Sequence, residues 1–213
     1  MMRARHLLAA GLAIVLAGCS ILSDKPKSTS TIYAPDPRVQ ADANWPRVDW
    51  QLVLAPPNAA RIVDSLRIAV RPTPGELQVY RGAQWARTPS DMLQDTLLRT
   101  LEDSGRIAGV ARQGSGMAGD FRLVLDIRRF EADYAQAAIP SATIEVSAKL
   151  LNVSDQRVAA SRVFVQAQPA ATTAVPDVAH AFEQSLQNIG HDIAGWTLTS
   201  GESYRRNRPP AQG

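Results

Sequence analysis

Phe121-Arg122-Leu123-Val124-Leu125-Asp126-Ile127-Arg128-Arg129-Phe130-Glu131-Ala132-Asp133-Tyr134 is the stretch whose pattern decides the fold. Its apolar residues alternate as Phe121, Leu123, Leu125 and Ile127, the period of a strand with one buried face. The parity then changes to Phe130, Ala132 and Tyr134. One extra residue near Arg128-Arg129 would keep both halves on the same face, so the run predicts a long strand carrying a β-bulge. Two extended runs follow, Thr143 to Val153 and Val158 to Ala167, joined across Ser154-Asp155-Gln156-Arg157, and they predict a hairpin. Upstream, Val48 to Leu54 and Leu66 to Arg71 are short, apolar and β-branched. Each is followed by prolines (Pro56-Pro57, Pro72, Pro74), and both read as strands, with Gln78 to Ala86 as a third extended run.

Two helices punctuate these strands. Thr88-Pro89-Ser90-Asp91 supplies a cap, a proline at the first helical position and an acidic residue three past the cap. Met92, Leu93, Leu97, Leu98 and Leu101 recur at helical spacing, and Ser104-Gly105 ends the run. Pro176 opens a longer helix with the stripe Val178, Phe182, Leu186, Ile189, Ile193 and Trp196. Strands, helix, strands, helix in that order predict an α/β fold: a single domain with one mixed β-sheet and two main helices packed on it. The domain is expected over residues 32–200. Gly201 to Gly213, with Arg205, Arg206 and Arg208, reads as a loose, disordered tail.

Ahead of the domain, Ser20 to Thr31 is rich in Ser, Thr, Lys and Pro and reads as a tether that reaches at most ~40 Å. It is preceded by the only cysteine, Cys19, which closes Leu16-Ala17-Gly18-Cys19 behind an apolar segment, Leu7 to Leu16, and a basic start, Arg3 and Arg5. This resembles the lipobox of bacterial lipoproteins, with residues 1–18 a signal peptide and residues 19–31 a lipidated tether. The resemblance implies that the Cys19 sulfur is diacylglycerylated and that its freed amino group takes a third chain such as palmitate. A spanning helix is the alternative, but ten apolar residues cross only about half of a hydrocarbon core of ~30 Å. An ordinary secretory signal would instead leave an unpaired thiol in an oxidising compartment. Ser20 after the cysteine, in place of aspartate, points by analogy to the periplasmic face of the outer membrane.

The formal net charge of +3 includes Arg3 and Arg5, so the mature chain carries about +1, which excludes the strongly basic balance of a nucleic-acid binder. Gly114-Ser115-Gly116-Met117-Ala118-Gly119 has the spacing of a dinucleotide-binding fingerprint. That fingerprint requires a strand before it and a helix after it, whereas here a helix is expected before and a strand after, so it reads as a loop. His180 and His191 fall on the last helix ~16 Å apart along its axis, too far to share a metal. No cofactor or metal site is expected, and neither a nucleophile elbow nor a P-loop occurs, so catalysis has no support. Asp126, Glu131 and Asp133 alternate with Arg122, Arg128 and Arg129, which reads as a solvent-facing strand of mixed charge, with a paired-carboxylate site as the alternative.

Tyr80-Arg81-Gly82-Ala83-Gln84-Trp85-Ala86, followed by Pro89 and the helix Met92 to Leu101, resembles the signature segment of the ABC-type transport auxiliary lipoproteins. These are the PqiC-like lipoproteins associated with Mce-domain lipid transporters. Tyr33, the strand Leu66 to Arg71, the run Phe121 to Tyr134 and a final helix ending in Trp196 agree with it. Asp36 to Asn44 reads as extra loop. The resemblance implies a three-layer domain similar to the amino-terminal domain of TolB. It also implies a docking role beside a periplasmic Mce-domain protein and, through it, an inner-membrane ABC transporter; a ring-shaped homo-oligomer is compatible with such partners. Tyr80, Arg81 and Trp85 are the expected partner contacts, with burial of Tyr80 and Trp85 against the adjacent helix as the competing reading. A periplasmic lipid-binding shuttle with its own acyl-chain cavity is the alternative function.

Overall fold

The structure is a computed structural model and describes residues 30–207. All its elements lie within the unit Thr31–Gly213. The strands are β1 (Thr31–Tyr33), β2 (Val48–Leu54), β3 (Asn58–Ala59), β4 (Arg67–Arg71), β5 (Gln78–Trp85), β6 (Ile107–Arg112), β7 (Phe121–Asp133), β8 (Ser141–Asn152) and β9 (Val158–Pro169), and the helices are α1 (Pro89–Ser104) and α2 (Val175–Asn207). The strands form one nine-stranded mixed sheet.

β7 is its spine. On one side it pairs antiparallel with β8 over its whole length, and β8 pairs in turn with β9. On the other side β7 is shared along its length by three parallel strands: β2 at Phe121 to Leu123, β3 at Asp126 and Ile127, and β4 at Ala132 and Asp133. β2 carries β6 outward, while β4 carries β5 and then β1. The bulge falls between Ile127 and Arg129. It returns Phe130 and Ala132 to the face of Phe121, Leu123, Leu125 and Ile127, and all six are buried. Ala142, Ile144, Val146, Ala148 and Leu150 of β8 extend this apolar face.

Both helices pack on that face and against each other. Thr88 caps α1 by accepting from the Asp91 N–H, and Gly105 ends it at φ 58°, a left-handed conformation that costs glycine little. Where α1 and α2 cross, Gly190 lacks a side chain, and a Cβ there would lie 2.7 Å from the Thr96 methyl. Residues 34–46, which include the expected loop Asp36 to Asn44, form a strap against both helices. The Asp36 N–H donates to Glu183 of α2, its carboxylate pairs with Arg99 of α1, and the Trp45 ring lies 5.0 Å from His191 of α2, tilted by 43°. The strap thus ties the two helices together.

Three sequence expectations change. Gly201 to Asn207 is helix, not tail: Gly201 is buried, and a Cβ there would stand 2.5 Å from the Trp50 ring. Beyond it Tyr204 meets Phe121 edge-on at 6.0 Å, so the arginine-rich end is held to the core by aromatic packing. β6, built from Ile107, Ala108, Gly109, Val110, Ala111 and Arg112, was not expected, because small residues at an edge leave no clear alternation. The glycine-rich segment 114–119 therefore follows a strand and not a helix, but it enters β7 with no helix after it, and remains a loop.

Candidate interaction site

Cys19, the expected lipidation site, and the tether up to residue 29 lie outside the described residues. Tyr80, Arg81 and Trp85 all lie on β5, which the structure bends sharply: Arg67 of β4 faces Gln84, yet Ala69 faces Val79. Five steps along β5 match two along β4, and Gly82 at φ 66° absorbs the extra length. The bend separates the three residues. Arg81 is exposed and makes no ion pair among the described residues. Trp85 is 1% exposed. Its ring meets Phe182 at 5.1 Å and Phe130 at 6.1 Å, both edge-on, in the center of the core. The contact role for Trp85 is therefore corrected: the indole holds α2 to the sheet and is not available to a partner.

Tyr80 is half-buried. Its hydroxyl is enclosed beside Tyr134 without a hydrogen bond of good geometry. Burial, and to a smaller degree the neighbouring Tyr134, push its ionisation well above the ordinary value of 10.0. Of the expected trio, then, only Arg81 and the rim of Tyr80 are presented outward.

The mixed-charge reading of β7 holds at one end and fails at the other. Asp126 and Arg128 are exposed, and Arg128 approaches Glu145 at 3.4 Å. Glu131 is 1% exposed on the face away from the helices. Arg71 grips it with two bonds, Nε to Oε1 at 2.7 Å and Nη2 to Oε2 at 3.0 Å, and the Arg129 Nε donates to the same Oε1 at 2.8 Å. Arg129 also donates to Asp133. The bonds to Glu131 hold Arg71 firmly protonated; for Arg129, burial opposes the charge, but its bonds to Asp133 and Glu131 outweigh that. Both carboxylate oxygens are occupied by guanidinium donors, so this is a structural clamp tying β4 to β7 and not a proton-transfer site. Arg71 lies 60 residues from Glu131, so nothing local in the sequence announces the pair.

A groove of about 460 Å³ opens between β9, the strap and α2, and is lined among others by Trp45, Arg162, His191, Asp192, Trp196 and Thr199. The Arg162 guanidinium lies 4.8 Å over the Phe164 ring, which meets Trp196 edge-on at 5.5 Å. His180 is exposed and His191 stands at the groove, and among the described residues no three metal-ligating side chains come together. Among the described residues, no helix is long and apolar enough to cross a membrane.

The fold is a mixed α/β domain whose outward features are an arginine on a kinked strand, a polar and aromatic groove and a long sheet edge. The chain belongs to the family of ABC-type transport auxiliary lipoprotein components, whose model matches residues 31–194. The protein XCC0632 from Xanthomonas campestris, a member of family-model DUF330, is similar to it at 53% identity and a TM-score of 0.81, covering 84% of this chain and 100% of that one. An uncharacterized protein of known structure shares the fold at a TM-score of 0.55 and 13% identity, covering 74% of this chain and 97% of the other. TolB from Acinetobacter baumannii matches at a TM-score of 0.37 and 12% identity, covering 78% of this chain and 31% of TolB. No curated protein matches the sequence.

Proposed function

We propose that this lipoprotein is the docking component of an ABC-type lipid transport system, anchored through Cys19 to the periplasmic face of the outer membrane and engaging a periplasmic Mce-domain protein. The observation that carries this reading is the family match, which spans almost the whole folded unit. A non-catalytic role agrees with Glu131, the one buried carboxylate among the described residues, being fully engaged by arginines. The lipid anchor confines the domain to one surface and thereby raises its effective concentration for a partner that crosses the periplasm. Three acyl chains hold it there far more firmly than the marginal binding of one. Arg81, exposed beside the half-buried Tyr80, is the side chain of the signature segment that a partner would reach. The groove, with Arg162, His191, Asp192 and Thr199 around it, suits a polar or amphipathic group and not an acyl chain.

The test is affinity purification of the full-length lipidated protein from envelope membranes. Recovery of an Mce-domain protein in stoichiometric amount supports the reading. Its absence, together with lipid bound to the unlipidated domain, would replace docking with the shuttle.

A further inference from the structure

We propose that the free edge of β9 is a docking site for an extended segment of a partner protein, which joins the sheet as an added strand. The proposal deepens the docking reading and rests on it. β9 has eleven registered partners on β8. No strand lies on its other side among the described residues. The remaining edges are short: β1 has 3 residues and β6 has 6, against 12 in β9. A long free edge presents a row of backbone donors and acceptors, and natural proteins usually blunt it with lysines, an internal proline or bulges. β9 carries one charge, Arg162, no lysine, and a proline only at its last position; its one register shift lies at its start, between Val158 and Ala160, and the ladder from Ala160 to Pro169 is continuous.

The side chains agree. Val158, Val163 and Val165 are 54%, 44% and 56% exposed, three of the seven large apolar residues so exposed among those described. Register places them opposite Leu151, Ser147 and Glu145, on the face away from the helices. The intervening residues Arg162 and Phe164 point to the helix side, where Arg162 lines the groove. A strand added about 4.8 Å beyond β9 would set alternate side chains against the valines and the others toward that groove. Only another extended chain matches the ladder, because a lipid or small molecule has no repeating amide to offer. The geometry therefore specifies the partner: a segment of alternating pattern, apolar on one face, with an acidic residue on the other to meet Arg162.

The experiment uses the full-length lipidated protein in cells, with a photoreactive residue at Val163 or at Val165. The expected result is an adduct with a different polypeptide from both positions. In the purified complex, amide exchange over residues 158–168 should then slow at least tenfold relative to the free protein. The double variant Val163→Lys/Val165→Lys should melt as the wild type does and lose the complex at least tenfold in affinity. Adducts with a second copy alone, no adducts, or unchanged exchange within an intact complex would each overturn strand addition. The docking reading is scored separately, by whether the captured polypeptide carries an Mce domain and by capture from a photoreactive residue at Arg81.

Discussion

Trp85 and Arg81 stand four residues apart on one strand, yet the kink at Gly82 gives them opposite tasks. Trp85→Ala removes the ring between Phe130 and Phe182 and is expected to cost about 3–5 kcal/mol, read from urea denaturation. Arg81→Ala should stay within about 0.5 kcal/mol of wild type while weakening partner capture. Glu131→Gln leaves two guanidiniums around a neutral amide and should cost about 3–5 kcal/mol by the same measurement, since an uncompensated buried charge is the expensive case. Tyr80 carries a pH signature. Its folded-state ionisation is raised above the ordinary 10.0, so its contribution is complete below pH 10.0 and declines above it, as the unfolded chain ionises and the folded one resists. Tyr80→Phe should flatten that alkaline decline; the same slope in wild type and variant would show that the hydroxyl is not enclosed.

At the scale of elements, the end of α2 is the informative case. The turns after Ser200 cover Trp50 and Phe121 through Gly201 and Tyr204. Truncation after Ser200 should therefore destabilise the domain by about 2 kcal/mol or more, the burial of one large apolar side chain, whereas loss of a solvated tail would change nothing. Thermal melting of the truncated protein decides between them. The hairpin β8–β9 and the helix α1 were legible in the sequence because their signals are local: alternation, a cap, a proline, a left-handed glycine. The Asx turn at Asn152, whose side-chain oxygen accepts from the Ser154 and Asp155 N–H groups, is of the same kind. β6, β3 and the helical course of Gly201 to Asn207 were not legible. Most of their residues are small or polar and the few apolar ones, Ile107, Val110 and Tyr204, show no period, so what makes them regular is a neighbour brought from elsewhere in the chain.

For the whole molecule, the decisive change is Cys19→Ser. Cys19 precedes residues 31–194, which the family model matches, so the variant is expected to melt as wild type does while losing membrane retention in fractionation and, with it, transport function. Full function from a soluble Cys19→Ser protein would remove the anchor from the proposal. Sequence alone determined the mixed α/β class, the bulged central strand and both main helices, because each is encoded by periodicity or by a contiguous motif. Only the tertiary structure decided that Trp85 is core, that Glu131 is clamped by Arg71 and Arg129, and that β9 is left as a long open edge. Those outcomes depend on which residues meet across distances in the chain, and packing sets that where local pattern cannot.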